Sequence, residues 1–365
     1  MSLTAGIVGL PNVGKSTLFN AITKQHILAA NYPFATIEPN VGMVNVPDKR
    51  VDFLEKLYNP KKTIYATFEF TDIAGLVEGA SKGEGLGNKF LSHIREVDAI
   101  CEVVRCFDNG NITHVNGNID PVRDAEIINL ELIFADLEVV ENRLNKVGKK
   151  SRLSNDKEAL KEVELLEKVK ETLLNNKAIR TLDLTEEEVK TLKPFNFLTI
   201  KPIIYVANVD ENEIGMDNEY VKILKEYAKK EGSSVVVISA KIEEELSELE
   251  EDEKLEFLKD MGITESGLDR LIKASYKLLG LSTYLTAGTD EVRAWTYRQG
   301  MNAPECAGII HTDFEKGFIK AEIMSFEDLE KYGTELKVRE NGKMRLEGKD
   351  YVMQDGDICH FRFNV

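Results

Sequence analysis

Positive charge is in short supply in this sequence: 47 Lys and Arg face 63 Asp and Glu in 365 residues, a formal net charge of −16. That deficit excludes a protein that coats nucleic acid non-specifically or lies on an anionic membrane surface, and it leaves RNA contact only to a local basic patch. Long apolar runs are absent too. No stretch approaches the roughly 18 apolar residues of a membrane-crossing helix, and Met1-Ser2-Leu3-Thr4-Ala5 enters an apolar strand without a basic leader or cleavage site. The expectation is a soluble, unexported, cytoplasmic protein. The four cysteines, Cys101, Cys106, Cys306 and Cys359, lack zinc-site spacing, so they read as buried or free thiols in a reducing compartment. Acidic runs such as Glu243-Glu244-Glu245 and Glu250-Glu251-Asp252-Glu253 read as solvated helix faces.

What is present divides into three textures. Apolar runs at Gly6-Ile7-Val8, Phe68-Glu69-Phe70, Ile203-Ile204-Tyr205-Val206 and Val235-Val236-Val237-Ile238 alternate with helical stretches, the pattern of a mainly parallel α/β sheet. Into it is set a heptad-like seam, Leu130, Ile133, Leu137, Val140, Leu144 and Val147. After a break expected at Gly148 to Asn155, a second helix carries Ala159, Val163, Leu166 and Leu173; together they predict an antiparallel hairpin. Its tip is basic, with Lys146, Lys149, Lys150 and Arg152. From about residue 281 the pattern turns to short strands and tight turns. Gln354-Asp355-Gly356-Asp357 predicts a hairpin there. The division is therefore a nucleotide-binding domain over 1–280, a helical coiled-coil insertion over 128–195 and a small α+β domain over 281–365.

Gly9-Leu10-Pro11-Asn12-Val13-Gly14-Lys15-Ser16 fits G-x-x-x-x-G-K-[ST], after a strand and before a helical run. In such a loop successive backbone N–H groups, here through Asn12, Val13, Gly14 and Thr17, face the phosphates, and the helix start adds a favourable dipole. Lys15 reaches the β/γ-phosphates and Ser16 offers a hydroxyl to Mg²⁺. Asp72-Ile73-Ala74-Gly75 gives D-x-x-G, with Asp72 supporting Mg²⁺ and the Gly75 N–H meeting the γ-phosphate. Thr36, in Asn31-Tyr32-Pro33-Phe34-Ala35-Thr36, is a candidate second Mg²⁺ hydroxyl. The glycines Gly79, Gly83, Gly85 and Gly87 suit a segment that reorders with nucleotide.

Leu76 stands where many GTPases carry the Gln that orients water, so another residue must act or hydrolysis is slow. His114, in a polar loop, and His93, in a helical run, are the two candidates; a surface position and a packed helix position are their plainer accounts. The base-reading turn holds Asn208-Val209-Asp210-Glu211 in place of N-K-x-D. The aspartate that accepts two guanine N–H groups becomes Glu211, and the lysine stem becomes Val209. Guanine thus loses its main discriminator, whereas adenine's amino group and N1 can be met by the Asn208 amide or by backbone near Val209. Ser239-Ala240-Lys241 occupies the place of a loop that closes over the base.

Taken together, these residues resemble the Obg family of P-loop G proteins, on its ATP-using side, over essentially the whole chain. Glu291-Val292-Arg293-Ala294-Trp295-Thr296 and His311-Thr312-Asp313-Phe314-Glu315-Lys316-Gly317 are similar to that family's TGS domain, a β-grasp module. The resemblance implies ATP over GTP, Mg²⁺ at Ser16 and Thr36, base contact near Val209, Leu76 replacing the catalytic Gln, and His114 as the compensating residue. It also implies association with ribosomes. The expected function is an ATP-binding, slowly hydrolysing switch that meets ribosomes or structured RNA through the C-terminal module and the hairpin tip, with no membrane or DNA partner. A conventional GTPase and an adaptor with a structural nucleotide remain the alternatives.

Overall fold

Residues 3–29, 40–73, 85–109, 118–154 and 157–364 are described by the structure, a computed structural model. The strands are β1 (Thr4–Gly9), β2 (Val41–Asn45), β3 (Lys62–Ile64), β4 (Thr67–Asp72), β5 (Ala99–Arg105), β6 (Ile203–Asn208), β7 (Ser234–Ile238), β8 (Leu281–Ala287), β9 (Glu291–Arg298), β10 (Phe318–Ser325), β11 (Arg345–Glu347) and β12 (Asp357–Phe363). Among the described residues they form two six-stranded sheets. The chain divides into one unit of Met1–Val44 and Glu69–Leu271, and a second of Asn45–Phe68 and Ile272–Val365.

The first unit carries the sheet ordered β2-β4-β1-β5-β6-β7. The pairs β1–β4, β1–β5, β5–β6 and β6–β7 are parallel. β5 and β6 are buried along their whole length, which is why β6 reads as an apolar run rather than an alternating one, while β5 takes Glu102 and Arg105 into the interior. In a sheet of this kind ligands gather at the carboxyl ends of the strands. Behind them lies a buried polar network. Asn129 donates to the Tyr205 hydroxyl at 2.8 Å, Tyr205 donates to Glu231 at 2.8 Å, and Arg180 donates to Asn129 at 2.6 Å. Glu102, fully buried on β5, pairs in register with Tyr205. Burial pushes its carboxyl well above the usual range, against the pull of Arg180.

The helical hairpin is formed by Pro121–Ser154 and Lys157–Leu174. Ile133 and Val140 pack with Leu165, Leu166, Val169 and Leu173, and Leu192 and Phe197 from the following segment close the cluster. Arg143 clamps the pair through Glu162 at 2.6 Å. The break expected at Gly148 is absent: the first helix runs on to Ser154. One glycine costs a helix only about 1 kcal/mol against Ala, and the Lys and Arg around it are good helix formers.

In the second unit the sheet is ordered β11-β10-β12-β8-β9-β3. β8–β9 and β10–β12 are antiparallel, while β12–β8 and β3–β9 are parallel. Residues 45–68, which the sequence grouped with the nucleotide domain, thus supply a strand to the C-terminal sheet. The Asp355-Gly356 turn does not join two neighbouring strands as a hairpin. Gly356, at φ 84°, leads into β12, whose partners are β10 and β8. The turn is instead fastened to β8, because Gly356 donates to the Thr283 carbonyl at 2.8 Å and Asp355 accepts from the Thr283 N–H at 2.9 Å. Phe361 lies in this unit's core with Cys306 and Cys359, and Trp295 packs against it, so these aromatics serve packing. All four cysteines are buried and unbridged.

Glu243, 3% exposed in the helix Ala240–Leu246, accepts from the Gly267 N–H at 2.8 Å. Burial outweighs that bond and pushes its carboxyl from the ordinary 4.5 up to about 7. A folded-state pKa above the unfolded one adds stability that is complete below pH 4.5 and is lost as pH rises through about 7. The loss amounts to roughly 3 kcal/mol at 1.36 kcal/mol per pKa unit. Glu243→Gln keeps an acceptor for Gly267 and removes the titration. Thermal unfolding at pH 5 and pH 8 should show a smaller difference for this variant than for the wild type; parallel profiles would refute the assignment.

Candidate nucleotide site

β1 ends at Gly9, and the turn that follows reaches the helix Lys15–Ala29 through two left-handed residues, Asn12 at φ 63° and Gly14 at φ 95°. The glycines are sterically required. A Cβ on Gly9 would stand 2.9 Å from the Val103 carbonyl oxygen, and one on Gly14 would overlap the Asn208 side-chain amide. With these turns the loop presents backbone N–H groups at the start of a helix, the arrangement that favours an anion.

Asn208, at the end of β6, draws the site together. Its amide nitrogen donates to the Val13 carbonyl at 2.8 Å, and its amide oxygen accepts from the Ala240 N–H at 2.9 Å. One buried side chain therefore ties the phosphate-type loop to the loop after β7. Its neighbour Val209 donates its N–H to the Ile238 carbonyl at 2.8 Å and is itself buried. Ser239 is buried just before the helix that Ala240 opens. From β4, Asp72 forms an ion pair with Lys15. Its strand is in register with β1, Ile7 opposite Asp72. Ser16 is exposed in the first turn of its helix.

The structure thus gathers Asn12, Val13, Gly14, Lys15, Ser16, Thr17, Asp72, Asn208, Val209, Ser239 and Ala240 at one end of the parallel sheet. Glu211 opens the short 3₁₀ turn Glu211–Glu213 and forms an ion pair with Lys241. Gly75, Leu76, Thr36 and His114 lie outside the described residues. Gly85 and Gly87 fall within the helix Gly85–Glu96 rather than in a loop, and His93 is half-buried on that helix. Among the described residues no cluster of three or more His, Cys, Asp or Glu could hold a metal. The oxygens on hand, the Ser16 hydroxyl and the Asp72 carboxylate, are hard donors that suit Mg²⁺, a cation that usually takes few protein ligands beside water and phosphate.

Two residues escaped the sequence reading. Arg105, buried at the end of β5 and in register with Asn208, donates to the carbonyls of Phe107 and Asn109 at 3.2 Å and lies 4.7 Å from the Phe107 ring centre. It braces the turn beside the base-reading strand, and a lone Arg ending an apolar run was its only signal. Lys241 was read as the third letter of a loop motif, without its bond to Glu211.

Known proteins match this architecture throughout. Residues 4–138 fit the family profile described as 50S ribosome-binding GTPase, and residues 281–364 fit the YchF GTPase C-terminal profile, described as a protein of unknown function. Over the whole of both chains the protein is 61% identical to the ribosome-binding ATPase YchF of Bacillus subtilis and 54% identical to that of Escherichia coli O157:H7. The solved structure of the Schizosaccharomyces pombe YchF GTPase is 43% identical, with a TM-score of 0.89 over 99% of this chain and 98% of that one. With identity of this extent over full length, the chain belongs to the YchF family of P-loop nucleotide hydrolases.

Proposed function

We propose that the chain is a cytoplasmic ATPase switch that acts with ribosomes, binding ATP in preference to GTP and hydrolysing it slowly. The observation that carries the reading is the Asn208 bridge, which holds a phosphate loop against a base-reading turn that lacks the lysine and aspartate of N-K-x-D. The names of the bacterial relatives, ribosome-binding ATPases, agree with it.

In this reading the loop N–H groups of residues 12–17 and the Lys15 ammonium bind the phosphates, with Lys15 exchanging the Asp72 carboxylate for the β/γ-phosphates. Ser16 and Thr36 would hold Mg²⁺, and Asp72 would support the site without being a direct ligand. When bound, the ion would supply charge neutralisation between the β- and γ-phosphates. Adenine is met by backbone near Val209, on the turn that the Asn208 bridge holds in place, and Ser239 and Ala240 close over it, with Glu211 at the margin. Gly75 senses the γ-phosphate. Leu76 offers water no hydrogen bond, and His114 positions the nucleophile in its place. Residues 281–365 act as a TGS-type module. That module is one ribosome contact and the basic hairpin tip another, and 128–195 serves as the arm that carries the tip.

Calorimetry with both nucleotides tests the site. The wild type should bind ATP more tightly than GTP, and Lys15→Ala should lose most affinity for both; unchanged affinity in Lys15→Ala would remove the loop from the phosphate site. His114→Ala should slow single-turnover hydrolysis by about 10- to 1000-fold, the scale of an acid–base or water-positioning group, with ATP affinity nearly retained. If His93→Ala is the slow variant instead, the histidine is misassigned. Co-sedimentation with purified ribosomes should depend on nucleotide and on salt. It should weaken when Lys146, Lys149, Lys150 and Arg152 are all changed to Ala; binding indifferent to nucleotide, salt and charge would refute the proposed surface.

A further inference from the structure

The turn that follows β6 carries three carboxylates, Asp210, Glu211 and Glu213. Asp210 is committed to its own turn, accepting from the Asn212 N–H at 3.2 Å and from the Asn212 amide at 2.9 Å. Glu213 accepts from the Asn218 amide at 2.9 Å. Glu211 holds the position from which a carboxylate reads guanine in N-K-x-D, and it is taken by the Lys241 ammonium. Both partners stand in water, with side chains 35% and 62% exposed. The pair is therefore a contact that a ligand can compete for, not a buried anchor. Glu211 in turn holds the Lys241 ammonium above its usual range, with Glu245 and Asp210 adding to the negative field.

We infer that Lys241 is a specificity-determining residue that acts against guanine by occupying the carboxylate guanine would need. Guanine presents N1–H and a 2-amino group, and both seek one acceptor carboxylate. To bind, it must displace Lys241 from Glu211. Adenine presents an acceptor at N1 and asks nothing of that carboxylate, so the pair taxes one base and spares the other. The inference rests on the nucleotide reading given above and assigns the side chain that sharpens it.

The test is the ratio of GTP to ATP affinity, measured by competition against one fluorescent nucleotide. Lys241→Met should raise the ratio by about 2- to 5-fold, the scale of an exposed ion pair. Lys241→Arg, which retains the pair, should leave it at the wild-type value. Glu211→Gln combined with Lys241→Met should cancel the gain, since no free carboxylate remains. Inosine triphosphate, which offers N1–H but no 2-amino group, should gain less than GTP. An unchanged ratio in folded Lys241→Met, or an equal rise in the double variant, would overturn the inference. Wild-type protein that fails to prefer ATP would refute the ATPase reading separately, because the comparison of Lys241→Met with wild type still reports on the pair.

Discussion

Three separate loops meet at the side chain of Asn208, and the site has no shape without it. The amide is 4% exposed, so its donor and acceptor must be satisfied inside the protein, and it has one partner on each side: the Val13 carbonyl and the Ala240 N–H. A carboxylate there would lose the donor, and a shorter side chain would orphan two buried backbone groups at a cost of about 1–3 kcal/mol each. The same amide explains Gly14, since its nitrogen fills the volume a Cβ would enter. Asn208 and Gly14 are thus two halves of one packing constraint, placed almost two hundred residues apart in sequence.

Behind the loops, the sheet is backed by polar groups that are buried or half-buried. Tyr205 and Glu102 sit side by side on β6 and β5; Tyr205 donates to Glu231, which pairs with Arg180, and Arg180 acts on the Glu102 carboxylate through its field without a hydrogen bond. A buried network of this kind is worth most when every member is present, because removing one partner strands the others in a low dielectric. Arg180 follows directly on the helical hairpin, so the arm is joined to the nucleotide sheet by charge as well as by apolar packing.

Local features were legible in the sequence. The phosphate loop, the strand before it and the seam of the hairpin all depend on residues close together, and a period or a motif reports them. What escaped depends on what surrounds a residue rather than on its spacing. The Asp355-Gly356 turn has the right residues for a hairpin, yet Thr283 decides where it goes. Gly148 is a weak helix breaker that its neighbours overrule. Lys241 and Arg105 carry charges whose meaning lies in the groups opposite them, and no spacing rule names those groups.

The path of the chain between the two units has a temporal consequence. The chain leaves the first unit at Val44, lays down residues 45–68, and returns at Glu69. Strand β3, made early, has its sheet partner β9 only at residues 291–298. During translation this strand therefore waits, without its sheet partner, while the rest of the nucleotide unit, Glu69–Leu271 with its helical arm, emerges from the exit tunnel. It acquires its neighbour only once residues 291–298 have been made. The nucleotide unit can complete its parallel sheet first, and the nascent protein has its phosphate loop assembled before its C-terminal unit exists.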